Sequence, residues 1–402
     1  MRVLMVSDVY FPRVNGVSTA IDTHRRGLPQ HGVEVELVVP RYEDESGEPG
    51  ITRLPGWRVP GDPEDRFVAP HRVRSAVMKA AAQADLIHIQ TPFAAHYAGL
   101  AAARRFNLPV VATYHTLFEE YLHLYAPMLP ESWLRGLARR LSRSQCNALD
   151  ATIVPSHAMA QRLREYGITA PLQVLPTGVP VGQFSVGDRA SHRARFRARY
   201  RIPPDQPVAL FVGRAAHEKN IGFLIEALAH ARCTVPELLL VVAGEGPALE
   251  SLKERAKALG QADHVRFIGY LDRARELPDC YAAADLFAFA SRTETQGLVL
   301  IEAMAVGLPV VALAEMGTCD LLGAHQGALV PPCDVGAFGD AMARLTSDSA
   351  LRSLLGEQAR VLARDWSDDA LTARMAMLYR DVCLAHATKE NTWKAPSKAK
   401  QA

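Results

Sequence analysis

The sequence predicts an α/β protein with two doubly wound parallel sheets, and three observations favour this fold class. The chain has 402 residues, which is enough for about two domains at roughly 100–200 residues each. Hydrophobic residues make up 49% of the chain and charged residues 22%, as in ordinary globular proteins. Short apolar runs alternate with longer amphipathic segments along the whole length, a pattern typical of strand–helix units.

Each half of the chain supplies enough apolar runs of strand length to form its own sheet. The predicted strands of the first half are residues 3–7, 35–40, 85–90, 109–114, 152–155 and 173–176. Those of the second half are residues 208–213, 238–243, 265–268, 286–290, 309–312 and 328–331. Ligands bind such sheets at the carboxyl ends of the strands, so the polar residues that follow the strands are the candidates for chemistry.

Domain boundaries follow from the same pattern. We expect an N-terminal Rossmann-like domain over residues 1–185 and a second one over residues 186–366, facing each other across a ligand-binding cleft. The proline-, glycine- and arginine-rich residues 176–204 are the predicted hinge between them. A final helix ending at residue 387 is expected to pack back toward the N-terminal domain, and residues 388–402 to form a flexible tail.

Charge and cysteine content exclude several classes of protein. The chain has 45 Lys and Arg against 43 Asp and Glu, so it lacks the positive excess of a nucleic-acid-binding protein. Its six cysteines show no CxxC or Cys/His ligand spacing, which argues against disulfides and zinc and favours the cytosol. The apolar residues 297–317 include Glu302 and Pro309 and are better explained by helix, turn and strand than by a membrane span. No secretory signal opens the sequence, so we expect a cytoplasmic protein.

The first candidate site follows the strand that ends at Gly213. Arg214 and Lys219 lie in the loop between this strand and a helix predicted to begin near Ile221. Two cations beside the free N–H groups of a helix N-terminus can bind a diphosphate. From spacing alone, two solvated surface cations explain the pattern equally well.

The second candidate site is the run from Glu294 to Glu302. Gly297 permits close backbone approach, and a helix beginning near Leu298 offers free N–H groups to an anion. Two carboxylates placed around this turn can accept hydrogen bonds from the hydroxyls of a sugar or ribose. Alternatively, Glu294 caps the helix and Glu302 pairs with a nearby arginine.

Two further candidates lie in the first half of the chain. His115 follows a buried strand at its carboxyl end, although a lone histidine in such a position is more often structural. Gly16 follows the first strand and can bring its backbone close to a phosphate or a sugar. Its neighbour Asn15 tolerates left-handed backbone geometry.

Taken together, the ordered pair of C-terminal sites resembles the family-4 retaining glycosyltransferases, which have the GT-B fold. The pattern matched is Gly-Arg followed by Glu-Lys-Asn, and then Glu294 and Glu302 with Gly297 between them, and the likeness extends over roughly residues 1–385. It implies that the C-terminal domain binds a nucleotide-diphosphate sugar and that the N-terminal domain binds the acceptor. It also implies retention of anomeric configuration, with the leaving phosphate taking the acceptor proton and no protein nucleophile.

The resemblance assigns roles residue by residue. Arg214 and Lys219 would neutralise the donor diphosphate, Glu302 would bind the ribose and Glu294 the transferred sugar. His115 would contact a sugar hydroxyl or the reacting centre. The backbone at donor-binding glycines and at one leucine would approach the donor: Gly16, Gly213, Gly297 and Leu298. Because these cations already serve the diphosphate and the chain has no Asp-x-Asp, we expect neither a metal nor a cofactor.

The acceptor is predicted from a narrower likeness and from one helix. Residues 114–125 resemble the enzymes of this family that glucosylate diacylglycerol. The next helix combines an interfacial tryptophan with a basic face, and its candidate membrane-binding residues are Trp133, Arg135, Arg139, Arg140 and Arg143. A core-packed helix with a solvated face is the alternative. The sequence leaves both open: a cytoplasmic protein with a core-packed helix, and one that contacts the inner face of the cytoplasmic membrane through this helix.

The leading hypothesis is transfer of glucose from UDP-glucose to a diacylglycerol-type lipid. A GDP-mannose-dependent α-mannosyltransferase that acts on a lipid or a soluble glycan is the alternative within the same class. A nucleotide-sugar epimerase and a non-catalytic carbohydrate-binding protein are the alternatives outside it. The spacing of Glu294 and Glu302 argues against the epimerase.

Overall fold

The computed structural model describes residues 1–43, 47–59, 62–115, 131–184, 187–273, 275–323 and 326–394. The chain forms two compact units. Unit 1 consists of Met1–Gly178 together with the C-terminal segment from Asp368, and unit 2 is Val179–Ser367. Unit 1 thus contains both ends of the chain, with unit 2 inserted between them.

Unit 1 is built on a seven-stranded parallel sheet with the strand order β3-β2-β1-β6-β7-β8-β9. Its strands are β1 Arg2–Val6, β2 Glu34–Arg41, β3 Ile51–Pro55, β6 Leu86–Ile89, β7 Val110–Thr113, β8 Ala151–Val154 and β9 Leu172–Val174, and a separate antiparallel hairpin joins β4 Trp57–Val59 to β5 Asp62–Phe67. Its helices are α1 Gly16–Gly27, α2 Pro70–Ala81, α3 Ala94–Phe106, α4 Glu131–Cys146, α5 His157–Glu165 and α15 Asp368–Lys394. The order reverses beside β1, as in a doubly wound sheet.

Unit 2 repeats this plan with a six-stranded parallel sheet of order β12-β11-β10-β13-β14-β15. Its strands are β10 Val208–Val212, β11 Leu239–Ala243, β12 Val265–Gly269, β13 Leu286–Phe289, β14 Val310–Ala312 and β15 Ala328–Leu329. Its helices are α6 Val181–Phe184, α7 Arg189–Arg199, α8 Ile221–Ala231, α9 Leu249–Ala258, α10 Leu277–Ala283, α11 Leu298–Ala305, α12 Thr318–Leu322, α13 Val335–Ser347 and α14 Ser349–Asp365.

The predicted strands of both halves are confirmed, but β3, β4 and β5 were not predicted. Strands β10, β11 and β13 are buried along their whole length, which is why they appear in the sequence as continuous apolar runs. Edge strand β3 is only partly buried and contains Thr52 and Arg53, and β5 contains mainly polar residues. Short polar strands of this kind carry no clear period in the sequence.

The apolar residues 297–317 form helix α11, a tight turn and the buried strand β14, as predicted. Gly307 makes the turn with a φ of +77°, a conformation that favours glycine. Among the described residues, no helix is both long enough and apolar enough to cross a bilayer.

Much of the predicted hinge, residues 176–204, is helical. The arginine-rich segment forms α7, and three of its five arginines, Arg189, Arg193 and Arg197, contact the C-terminal end of α10. Arg197 is 3% exposed and donates hydrogen bonds to the carbonyl of Ala283, while Arg189 donates to the carbonyls of Ala282 and Ala284. Because the last carbonyls of a helix have no partner within it, these arginines act as C-terminal caps. The high arginine content therefore serves packing within unit 2.

The C-terminal helix α15 packs within unit 1. Its Tyr379 hydroxyl lies 2.6 Å from Nδ1 of the buried His88, and its Arg380 donates a 2.5 Å hydrogen bond to the carbonyl of His31. The helix continues to Lys394, past the predicted end at residue 387. Residues before a proline disfavour helical geometry, and Pro396 is the first proline after the helix begins, so nothing in the sequence stops it earlier. The remainder of the predicted tail, residues 395–402, lies outside the described residues.

Candidate functional site

The loop that follows β10 has a defined backbone conformation. Gly213 has a φ of +151°, and Asn220 adopts left-handed geometry, with a φ of +55°, immediately before α8. The Asn220 side chain donates a 3.2 Å hydrogen bond to the carbonyl of Ala290, and Ser291 donates one to the carbonyl of Glu218. These contacts fix the loop against the end of β13, so the asparagine of the Glu-Lys-Asn run has a positioning role.

A second loop, which follows β11, packs against the first. A Cβ atom at Gly244 would lie 2.0 Å from the carbonyl oxygen of Gly213, and one at Gly246 would lie 2.5 Å from that of Ala215. The backbone N–H of Ala215 also donates a 2.9 Å hydrogen bond to the carbonyl of Glu245. Only glycine permits this close approach. Gly244 and Gly246 therefore support the loop that carries Arg214.

Lys219 and Glu294, which are far apart in the sequence, are in contact. The Lys219 Nζ lies 2.5 Å from Glu294 Oε2, and the two side chains are 23% and 19% exposed. Arg214 is more exposed and donates a 2.7 Å hydrogen bond to Glu218. Each predicted phosphate-binding cation thus has a carboxylate partner, and the first and second candidate sites join at Lys219 and Glu294.

The turn before α11 brings backbone N–H groups to the same region. Gly297 is the N-cap of α11, with a φ of +85°, and it has no side chain to cap the helix that begins at Leu298. The backbone N–H of Gly317 donates a 2.9 Å hydrogen bond to the carbonyl of Glu294, and a Cβ at Gly317 would lie 1.8 Å from the carbonyl oxygen of Thr295. An uncapped helix N-terminus beside a lysine is an anion-binding arrangement.

Glu302 is 1% exposed and occupies the interior of unit 2. One of its oxygens pairs with Arg273, and the other accepts a 2.8 Å hydrogen bond from the hydroxyl of Tyr281. Burial raises the pKa of Glu302, against the lowering effects of Arg273 and of the Tyr281 hydrogen bond. Glu302 thus pairs with an arginine, which was the alternative considered from the sequence. The remaining lone pairs of its carboxylate could still accept a hydrogen bond from a hydroxyl.

His115 and Gly16 lie in unit 1. Nε2 of His115 lies 2.8 Å from Oε1 of Gln90, and burial, with a smaller contribution from His24, lowers the pKa of His115 to about 3. A Cβ at Gly16 would meet no protein atom within 4 Å, so the fold itself does not require glycine there. Asn15 is extended, with a φ of −155°, and caps α1 by accepting a hydrogen bond from the N–H of Ser18. Asn15 therefore does not adopt the left-handed backbone geometry that asparagine tolerates.

Helix α4 has two distinct apolar stripes. Leu134 and Ala138 are buried against unit 1, whereas Trp133, Leu137 and Leu141 are 76%, 50% and 44% exposed. The apolar side of this helix is thus wider than its buried face. Packing against the core explains the buried apolar residues of the helix but not the exposed ones.

Four arginines lie on the exposed surface of α4 outside the apolar stripe. Arg135, Arg139, Arg140 and Arg143 are all exposed. The guanidinium of Arg139 lies 5.4 Å from the ring centre of Tyr166. Residues 116–125, on which the narrower likeness to diacylglycerol glucosyltransferases rests, lie outside the described residues.

Four contact residues were not found from the sequence. Glu218 entered only as the glutamate of the Glu-Lys-Asn run, without a role of its own, and Gln90 ends a predicted strand at the carboxyl edge, a position that could have indicated it. Arg273 and Tyr281 gave no signal, because their partner Glu302 lies far along the chain and only the fold brings them to it.

Comparison with known proteins places the chain among sugar transferases. Residues 192–362 match the family model described as glycosyl transferases group 1, and residues 14–183 match that of glycosyltransferase family 4. The alpha-monoglucosyldiacylglycerol synthase of Streptococcus pneumoniae is 33% identical over 78% of this chain and 71% of its own length. A GDP-mannose-dependent alpha-mannosyltransferase of Mycobacterium tuberculosis is 31% identical over 91% of this chain and 93% of its own. Among solved structures, Anabaena HepE in complex with UDP and glucose gives a TM-score of 0.76 at 18% identity, covering 95% of this chain and 100% of that one.

The burial of Glu302 predicts a pH dependence of stability. Its pKa is higher in the folded chain than the ordinary value of 4.5, so the folded state holds this proton more tightly than the unfolded state does. The stabilisation is present below pH 4.5 and is lost as the pH rises through the folded pKa. Relative to Glu302→Gln, the free energy of unfolding of the wild type should therefore fall between pH 4 and neutral pH.

Urea unfolding of both proteins over this range measures the difference. A glutamine side chain does not titrate, so the loss of the Arg273 partner in Glu302→Gln shifts the stability of the variant by the same amount at every pH. If the free energy of unfolding of the wild type minus that of Glu302→Gln stays constant or increases with rising pH, the raised pKa assigned to Glu302 is wrong.

Proposed function

The chain belongs to the family-4 glycosyltransferases and has their GT-B fold, and from this we propose that it is a retaining hexosyltransferase that moves glucose from UDP-glucose to a membrane lipid such as diacylglycerol. The observation that carries the proposal is the Lys219–Glu294 contact beside the uncapped N-terminus of α11. A cation, a sugar-binding carboxylate and helix N–H groups are what a diphosphate joined to a sugar requires.

In this proposal the diphosphate replaces the carboxylate partner of each of the two cations. Lys219 releases Glu294 and binds the diphosphate, and Arg214 likewise releases Glu218. The N–H groups of Gly297 and Leu298 donate to the same phosphate oxygens. As the glycosidic bond breaks, these donors stabilise the negative charge that develops on the leaving nucleotide.

The released carboxylate has a second role. Glu294 accepts hydrogen bonds from hydroxyls of the transferred sugar, while Glu302, held by Arg273 and Tyr281, accepts from the ribose. Both glutamates are thus committed to binding, so we propose that the acceptor attacks on the face from which the diphosphate departs and that the leaving phosphate takes its proton. His115 is the proposed unit 1 residue that contacts the reacting sugar. No metal ion is required in this scheme because side-chain cations serve the diphosphate.

Two observations support a lipid acceptor. The Streptococcus pneumoniae relative is named for the synthesis of a glucosyldiacylglycerol. Helix α4 exposes both the stripe Trp133, Leu137 and Leu141 and four arginines, a combination that suits the boundary between acyl chains and anionic headgroups. We therefore propose peripheral binding of α4 to an anionic membrane on the cytoplasmic side.

A GDP-mannose-dependent α-mannosyltransferase is the second candidate. It is favoured by the Mycobacterium tuberculosis relative, which matches more of this chain than the diacylglycerol enzyme does. The diphosphate site described above suits either donor, because its contacts are to phosphates and hydroxyls rather than to a base.

A donor panel decides between these candidates. The purified chain is incubated with UDP-glucose, UDP-galactose, GDP-mannose or GDP-glucose, each with diacylglycerol vesicles or soluble glycans, and products are identified by mass spectrometry. We expect glucosyl-diacylglycerol from UDP-glucose, in the same anomeric configuration as the donor by proton NMR, with unchanged rates in EDTA. Mannosylated product would support the second candidate instead. Epimerised donor without acceptor, or sugar binding without transfer or donor hydrolysis, would contradict transferase activity.

Membrane binding is tested on α4 directly. The double variant Trp133→Ser with Arg140→Glu should reduce sedimentation with vesicles that contain anionic lipid by at least about tenfold at low salt, because each cation near the surface contributes about 1 kcal/mol and the tryptophan inserts at the interface.

The matched control is Arg104→Glu with Leu384→Ser, which alters one exposed arginine and one exposed leucine elsewhere in unit 1. The control should bind as the wild type does. Equal loss in both double variants, or no loss in the α4 variant, would refute this membrane-binding surface.

A further inference from the structure

The loop that carries Glu294 is joined to a neighbouring loop on each side by an ion pair. Strand β13, which leads into this loop, lies between β10 and β14 in the sheet of unit 2. Glu294 pairs with Lys219 of the loop after β10. Two residues earlier, the Nε of Arg292 lies 3.0 Å and 2.9 Å from the two carboxylate oxygens of Glu315, which belongs to the loop after β14. Opposite charges thus connect the loops of three adjacent strands at the carboxyl edge of the sheet.

Glu315 is held in place by its own loop. The hydroxyl of the buried Thr318 accepts a 3.0 Å hydrogen bond from the backbone N–H of Glu315 and donates a 2.7 Å hydrogen bond to the carbonyl of the same residue. This hydroxyl also lies 3.2 Å from the carbonyl oxygen of Leu313. Because the backbone on both sides of the Glu315 side chain is fixed, this carboxylate needs little further ordering to bind Arg292.

A backbone contact at Glu294 joins the same two loops. The N–H of Gly317 donates a 2.9 Å hydrogen bond to the carbonyl of Glu294, and a Cβ at Gly317 would lie 1.8 Å from the carbonyl oxygen of Thr295. The Arg292–Glu315 pair adjoins this contact, since each member of the pair lies two residues before one of the two bonded residues. A change in the separation of these loops would therefore displace Glu294 and the N-terminus of α11.

The alternative role for Arg292 is that of a third phosphate-binding cation, because its side chain is 60% exposed. Arg214, a proposed phosphate-binding cation, pairs with Glu218 of its own loop and can exchange this partner without separating two loops. Arg292 differs, since it pairs across two loops with a carboxylate that the second loop holds in place. This difference favours a connecting role for Arg292.

We propose that Arg292 and Glu315 form a positioning pair that keeps Glu294 in place for the transferred sugar. In the proposed reaction Lys219 exchanges Glu294 for the donor diphosphate, and its ion pair then no longer connects the loops after β10 and β13. The pair on the other side keeps Glu294 and the N-terminus of α11 in position relative to the loop after β14. This role rests on the proposed function, whereas the connection between the two loops does not.

The connection between the loops is measured without any ligand by amide hydrogen exchange at Gly317 in the full-length chain. We expect Arg292→Ala and Glu315→Ala each to speed this exchange about threefold to fivefold, because a partly exposed ion pair makes a small contribution to stability. The double variant should exchange no faster than either single variant, because all three lack the same pair. The control Glu250→Ala, which removes the partner of Lys253 on the surface of α9, should leave the exchange unchanged.

Unchanged exchange at Gly317 in both single variants, or a double variant that adds the two effects, would overturn the proposal. A reversed pair tests whether charge is the cause. Arg292→Glu alone places two carboxylates together and should speed the exchange more than Arg292→Ala does, while Arg292→Glu with Glu315→Arg should slow it again. Exchange in the reversed pair as fast as in Arg292→Glu alone would overturn the ion pair as the connection.

Calorimetric titration relates the pair to the donor. UDP-glucose is compared with UDP, and GDP-mannose with GDP, on the wild type and on Glu315→Ala. We expect Glu315→Ala to weaken binding of the nucleotide sugar about fivefold and that of the nucleotide diphosphate less, because Glu294 holds the sugar.

The Glu315→Ala variant also separates the two roles of Arg292. A phosphate-binding Arg292 that has lost its carboxylate partner would bind the diphosphate more tightly, and a general loosening of the site would weaken both ligands equally. Either result would overturn the positioning role. A wild type that binds neither nucleotide sugar would overturn the proposed function, and the exchange at Gly317 would still decide whether the pair connects the loops.

Discussion

The ion pair between Lys219 and Glu294 is the interaction on which the candidate donor site depends. Its two members come from loops after β10 and β13, and each loop is held by backbone contacts rather than by the pair itself. Gly244 and Gly246 pack beneath the first loop, and the N–H of Gly317 bonds to the carbonyl of Glu294 in the second. The backbone contacts thus hold both loops in place independently of the ion pair, which lowers the ordering cost of binding a ligand.

The two proposed donor cations differ in what an exchange of partners costs. The Arg214 side chain is 60% exposed, and an exposed ion pair contributes about 0–1 kcal/mol, whereas a hydrogen bond between a cation and a charged acceptor such as phosphate contributes about 1.5–3 kcal/mol. The side chains of Lys219 and Glu294 are only 23% and 19% exposed, so we propose that Lys219 leaves Glu294 only when a phosphate replaces it as the charged partner, and that Glu294 then binds sugar hydroxyls. Glu302 differs, because its buried position makes the loss of Arg273 costly. We infer that Glu302 keeps its partners and binds with its remaining lone pairs.

The sequence alone was sufficient to predict those strands whose burial requires a continuous run of apolar residues. Strands such as β10 and β11 are buried on both faces and could be predicted from hydrophobicity alone. The helix starts at Ile221 and Leu298 were also predicted, because each follows a loop that interrupts the apolar pattern. Edge strand β3 and the β4–β5 hairpin were missed, since exposed strands need no regular alternation.

Contacts between distant segments could not be predicted. The arginines of α7 appear in the sequence as a polar linker, yet they cap α10, because helix capping depends on which helix end lies nearby. The pairing of Arg273 with Glu302 and of Gln90 with His115 likewise depends on the strand order of each sheet. On α4, periodicity identified an apolar side without showing that Trp133 remains exposed.

Calorimetric titration with nucleotide diphosphates and monophosphates tests the central claim most directly. UDP with UMP, and GDP with GMP, are compared on the wild type, on Lys219→Ala and on Lys253→Ala, a control lysine that pairs with Glu250 on the surface of α9. The account predicts that Lys219→Ala weakens diphosphate binding about tenfold to a hundredfold, leaves monophosphate binding nearly unchanged and preserves the circular dichroism spectrum, while the control behaves as the wild type. Equal diphosphate affinity in Lys219→Ala and the wild type would contradict it.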